Sequence, residues 1–152
     1  MGDRSRNILV CLTESEDSIR AAQYVGRLIG GAPGYNVTLL SIVDDPPFDY
    51  FKDEEERIEF VDKKQKRVEM LLNEARRVLF GYGFQETAVK VKTYVRACAS
   101  IAQCILDEQI DEDVGTLVIA RRKTSRSEEF LFGSVSNKII HLAKDCAVWV
   151  VN

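Results

Sequence analysis

The chain has 152 residues, of which 45% are apolar and 30% charged, and it carries a formal net charge of −3. This is the composition of an ordinary globular protein with enough chain for one substantial core, not that of a disordered or fibrous one. A mildly acidic balance gives no global attraction to nucleic acid or anionic membrane, and no apolar run approaches the roughly 18 residues of a membrane span.

The first residues, Met1-Gly-Asp-Arg-Ser-Arg6, lead straight into an apolar run without the hydrophobic stretch of a cleavable leader. Arg6 stands where a myristoylation motif wants Ser or Thr. The cytoplasm is therefore the expected compartment. Residues 7–12, Asn-Ile-Leu-Val-Cys-Leu, form a short continuous apolar run, as expected of a strand covered on both faces. Thr13 to Ser18 then offers capping oxygens and acidic residues for a helix start. Ile19, Ala22, Val25, Leu28 and Ile29 follow at three- and four-residue spacing, predicting an amphipathic helix that Gly30-Gly-Ala-Pro-Gly34 ends. Residues 35–43 read as a second strand, rich in β-branched residues and Leu.

Asp44-Asp-Pro-Pro47 breaks that strand. From about residue 52 to 80 the pattern is helical, with Ile58, Val61, Val68, Leu71, Leu72, Ala75, Val78 and Leu79 on one face and Glu, Lys and Arg on a solvated side. Gly81 and Gly83 stop it. Residues 87–95 alternate Val89, Val91, Thr93 and Val95 against Lys90, Lys92 and Tyr94, a half-exposed strand of period two. A short helix over 97–109, a buried strand over 116–120, a helix over 134–144 and a last strand over 147–151 complete the chain. The order βαβαβαβαβ, with no linker long enough to divide it, predicts one α/β domain over residues 1–152. Its fold is a single open, mostly parallel five-stranded sheet with helices on both faces. Ligands of such sheets collect outside the carboxyl ends of the strands, where the strand order reverses.

Cys11, Cys98, Cys104 and Cys146 lack the two-residue gap of a zinc or redox pair, and each lies in an apolar stretch. They are expected to be buried structural thiols, and no metal site is expected. His141, the only histidine, has no nucleophile that sequence can place beside it, and Ser134 has no triad partner. No catalytic residue is expected.

The stretch from Leu117 to Ser136 runs from a buried strand through a charged loop to Gly133-Ser134 at a helix start. Such a pair serves as a helix cap or as an anion site, and both readings stay open here. A Gly, two residues, Gly, nine residues and Gly-Ser spacing maps onto Ala120, Lys123, Gly133 and Ser134. In this, and in Ile8-Leu-Val-Cys-Leu-Thr-Glu-Ser15 and Val37-Thr-Leu-Leu-Ser-Ile-Val-Asp44, the chain resembles the universal stress protein family over about residues 7–151.

The resemblance implies a Rossmann-like sheet of the adenine nucleotide alpha-hydrolase kind. It also implies a nucleotide pocket at Thr13, Ile42, Ala120, Lys123, Gly133, Ser134 and Val135. Ala120 and Lys123 replace two motif glycines, and Thr13 stands where nucleotide-binding members usually carry Asp. A glycine at positive φ costs a residue with a side chain on the order of 1–2 kcal/mol, so weak or absent ATP binding and no cofactor are expected. The alternative is ATP with magnesium, held by the loop after the fourth strand. The charged residues Arg121, Arg122, Lys123 and Arg126, followed by Glu128 and Glu129, read as a solvated loop, an altered anion site or a contact patch for an unidentified protein partner.

Ala147, Val148, Trp149, Val150 and Val151 form an edge strand without Lys, Pro or a bulge, apolar on both faces. Pairing with the same strand of a second copy would satisfy that edge, so a homodimer is expected, in line with what the resemblance implies. The expected function is a regulatory or stress-response module without enzymatic activity, nucleic-acid partner or membrane contact.

Overall fold

A computed structural model describes residues 3–13, 18–45, 48–96, 98–120 and 134–152. Five strands, β1 (Asn7–Cys11), β2 (Asn36–Asp44), β3 (Val89–Arg96), β4 (Thr116–Ala120) and β5 (Ala147–Val151), form one sheet in the order β3-β2-β1-β4-β5. All four pairings are parallel. The helices α1 (Ile19–Ile29), α2 (Glu54–Gly81), α3 (Ile101–Asp111) and α4 (Ser134–Leu142) cover both faces. The α/β sheet is thus the one predicted from alternation of the elements, and the boundaries expected from sequence lie within a few residues of the observed ones.

Two apolar layers sandwich the sheet. On one side Ile8, Val10, Leu39 and Val118 pack with Ala22 and Val25 of α1 and Leu72, Ala75 and Leu79 of α2. On the other, Leu9, Cys11, Leu40 and Leu117 pack with Ile105 and Leu106 of α3 and Ile139 of α4. Successive strand residues point to opposite faces, so the uninterrupted run in β1 supplies both layers.

At the entry to α1, the Ser18 hydroxyl donates to the Thr13 carbonyl at 3.2 Å, while the other capping candidates, residues 14–17, lie outside the described residues. Two local expectations are corrected. The apolar stripe of α2 is only partly used. Val68, Leu71, Leu72, Ala75 and Leu79 are buried, but Ile58 is 57% exposed, because the 28-residue helix is longer than the strands it covers. Its first turns are held instead by Asp53, whose carboxylate accepts from the Glu56 N–H at 2.8 Å, and by Arg57 paired with Glu54 and Asp45. Finally, the four cysteines are not all free. The Cα atoms of Cys98 and of Cys104, in the first turn of α3, lie 6.2 Å apart, and a disulfide joins the two residues. Cys11 is a buried thiol, as expected, and Cys146 a half-buried one.

Candidate functional site

The strand order reverses beside β1: the chain moves outward from β1 to β2 and β3, then returns to β1's other side as β4. The crevice beyond the carboxyl ends of β1 and β4 is therefore where a ligand of this sheet would sit. Register places Cys11 beside Ile119 and beside Leu40, so Thr13, Ala120 and Ile42 all come to this rim from three adjacent strands. A hydrogen bond from the Leu12 N–H to the Leu40 carbonyl, at 2.8 Å, carries the pairing to the strand's end. Thr13 is exposed there.

Ala120 behaves differently from expectation. It closes β4 opposite Val151 and packs against the α1–α2 layer. Among the described non-glycine residues only Asp113 and Asp145 have positive φ, so Ala120 carries no left-handed strain. Ile42 is half-buried, pairs with Tyr94 and faces the α3 layer. Ser134 opens α4 and Val135 is exposed on its first turn. Lys123 and Gly133 lie outside the described residues, as do Arg121, Arg122, Arg126, Glu128 and Glu129.

The described positions fit a triphosphate only in part. The first N–H groups of α4 suit an anion, and Thr13 offers a hydroxyl, but no carboxylate occupies position 13. No group of three or more His, Cys, Asp or Glu among the described residues is arranged to hold a metal ion. His141 is exposed in the last turn of α4.

Two clefts lie elsewhere. One of about 300 Å³ opens at the amino ends of the strands, lined by Asn7, Asn36, Thr38, Lys90 and Glu112. The other, about 270 Å³, lies between α2 and β3 and is lined by Arg57, Ile58, Val61, Gln65 and Val95. Neither touches Thr13 or Ala120, and the topology, not the cleft size, makes the rim the candidate site.

Sequence reading missed a polar cluster under α3. Glu108 is 4% exposed, and its carboxylate accepts from Lys92 Nζ at 3.0 Å and from the Tyr94 hydroxyl at 3.2 Å. Lys92 also pairs with Glu112. The hydrogen bond from Lys92 holds the Glu112 carboxyl below its ordinary range, and the bond to Glu112 raises the Lys92 ammonium above its own. The alternation of β3 gave a signal for it: Lys92 and Tyr94 share a face, and that face meets a helix.

Comparison with known proteins follows the fold. Residues 4–152 match the family model described as the universal stress protein family. Three solved structures illustrate the likeness. The protein called hypothetical protein MJ0577 is 22% identical with a TM-score of 0.77, over 98% of this chain and 96% of that one. A universal stress protein in complex with cAMP is 16% identical with a TM-score of 0.71, over 99% of each chain. The universal stress protein from Archaeoglobus fulgidus in complex with dAMP is 18% identical with a TM-score of 0.62, over 96% of this chain and 97% of that one. No curated protein matches the chain.

Proposed function

The chain belongs to the universal stress protein family, and from that premise we propose that it is a dimeric regulatory module of the stress response, binding adenine nucleotides weakly or not at all. The carrying observation is Thr13, a neutral hydroxyl at the switch point where an acidic acceptor would fix a nucleotide. No enzymatic step, cofactor, nucleic-acid partner or membrane contact belongs to this reading, and its compartment is the cytoplasm. Among the described residues no helix is long and apolar enough to cross a membrane.

Thermal melting with ATP, AMP and cAMP, each with and without magnesium, tests the nucleotide part. A ligand at about 100 times its dissociation constant stabilises by about 2.7 kcal/mol, a rise of roughly 5–10 °C for a domain of this size. The expected rise at millimolar nucleotide is less than about 1 °C. A saturable shift of several degrees would favour a second reading, an ATP- or AMP-binding stress protein. The cAMP and dAMP complexes of the structural relatives speak for that alternative.

The dimer part rests on β5. It lies at the sheet's edge, parallel to β4, and Val150 is 36% exposed. Trp149 turns toward α1 and meets Tyr24 edge-on at 6.1 Å between centroids, while Val148 faces the other layer. With one backbone edge unpaired among the described residues and no Lys or Pro on it, antiparallel pairing with a second β5 would close the sheet. Light scattering is expected to give a dimer at tens of micromolar for the wild type. Val150→Pro, which removes one strand N–H, is expected to give a monomer or an insoluble chain. A wild-type monomer at that concentration would remove the dimer from the proposal.

A further inference from the structure

We propose that the Cys98–Cys104 disulfide is a thiol-exchange site at which a small-molecule thiol adds to Cys98 and releases the connection between β3 and α3. This rests on reading the carboxyl rim as the working face, because that connection is part of the rim. The chain leaves β3 at the sheet's edge and returns to β4 beyond β1, so α3 starts at the rim and packs Ile105 over Leu9 and Leu40 of the central strands.

The two sulfurs are unequal. Cys98 is half-buried, whereas Cys104 is 8% exposed in the first turn of α3, so Cys98 is the more accessible of the two. An attacking thiolate reaches Cys98. Its sulfur bonds to Cys98 Sγ, the protein disulfide breaks, and the electron pair leaves on Cys104 Sγ, which then takes a proton. A second thiolate attacks the small-molecule sulfur of the mixed disulfide and releases the Cys98 thiolate. Two thiols are thereby oxidised to one small disulfide while the protein disulfide is reduced to two thiols. The first turn of a helix favours the departing thiolate through the helix dipole. Glu108, one turn further on, is engaged by Lys92 and Tyr94.

The bond and the helix cap hold the same turn. Ser100 Oγ accepts from the Gln103 N–H at 3.1 Å and the Ser100 carbonyl from the Cys104 N–H at 3.2 Å. Opening the disulfide leaves that turn to the cap alone. In the reducing compartment proposed above, a disulfide responds to the surrounding thiol balance and does not act as a permanent staple. Cys11 is an internal control: burial pushes its thiol far above the ordinary range. Cys146, half-buried and raised chiefly by burial, is a slower reporter.

The full oxidised chain is incubated with reduced glutathione, quenched by alkylation and mapped by peptide mass, with amide hydrogen exchange followed in parallel. The glutathione adduct is expected on Cys98 at least tenfold over Cys104, with Cys11 unmodified in the folded state. Exchange over 98–104 is expected to quicken at least tenfold. Cys98→Ser is expected to show the fast exchange with or without glutathione. Cys104→Ser, which keeps the attacked sulfur, is expected to take one glutathione from oxidised glutathione. Adducts shared equally, an adduct on Cys104, opening only in denaturant, or exchange unchanged by reduction would each overturn the proposal. None of these readouts involves a nucleotide, so a failed melting experiment and a failed exchange experiment are separable.

Discussion

Lys92→Met is expected to destabilise the fold by about 3 kcal/mol at pH 7, on the order of a hundredfold in the folding equilibrium. The reason is the carboxylate left behind. Glu108 sits at 4% exposure under α3, and Lys92 is the cation that meets it, at 3.0 Å, while also pairing with Glu112. Removing one partner of a buried pair typically costs about 3–5 kcal/mol, because the other charge stays out of water. Lys92's own side chain is 25% exposed, which sets the expectation at the lower end. The Tyr94 hydroxyl, 3.2 Å from the same carboxylate, stays in place but carries no charge. Lys92→Met combined with Glu108→Leu is expected to recover most of the loss, since no charge is then stranded and apolar volume fills the space.

The pH dependence separates this account from simple loss of packing. In the wild type the folded Glu112 carboxyl lies below its unfolded value. Its contribution is therefore present above the unfolded value of about 4.3 and is lost as pH falls through the folded one. The folded Lys92 ammonium is raised, so its contribution is present below the unfolded value of about 10.4 and is lost as pH rises through the folded one. The contribution of this pair is thus level between these limits and declines in acid. In Lys92→Met the Glu112 carboxyl loses the hydrogen bond that holds it down, so the decline in acid is weaker than in the wild type. Urea unfolding at pH 3.5 and pH 7 reads both slopes. A variant that loses stability in parallel with the wild type would refute the buried-charge account.

The second large effect is a gain. Thr13→Asp with Ala120→Gly and Lys123→Gly is expected to raise affinity for ATP or AMP by tenfold to about a hundredfold. A hydrogen bond to a charged group contributes about 1.5–3 kcal/mol, and each 1.4 kcal/mol is a factor of ten. The structure divides this gain unevenly. Ala120 is extended and its methyl group packs into the α1–α2 layer, so Ala120→Gly by itself is expected to add no affinity. It is expected to cost roughly 0.5–1 kcal/mol of stability as an interior strand glycine. Thr13→Asp, exposed at the switch point, is expected to supply the larger share. Titration calorimetry on the single and triple variants decides it. A triple variant with no more heat than the parent would mean that the rim is closed to nucleotides for another reason.

Element order was legible in the chain because strands buried on both faces write continuous apolar runs, as at residues 7–12 and 116–120, while helices write a three-to-four period. Parallel pairing followed from alternation, and the place of the rim followed from parallel pairing. The family was legible in the spacing of Ala120, Lys123, Gly133 and Ser134, which needs no coordinates. Tertiary structure decided what depends on contacts far apart in sequence. Ile58 carries the same apolar signal as Val68, yet it is exposed, because helix length relative to the sheet appears in no local pattern. Lys92 and Tyr94 look like a solvent face until α3 lays Glu108 across them. Ala120 looks strained by analogy with glycine, but the register of β4 with β5 keeps it extended. Cys98 and Cys104 match no spacing rule, and they bond because the fold sets their Cα atoms 6.2 Å apart. Periodicity records which face of an element is apolar; only the packed fold determines what each face meets.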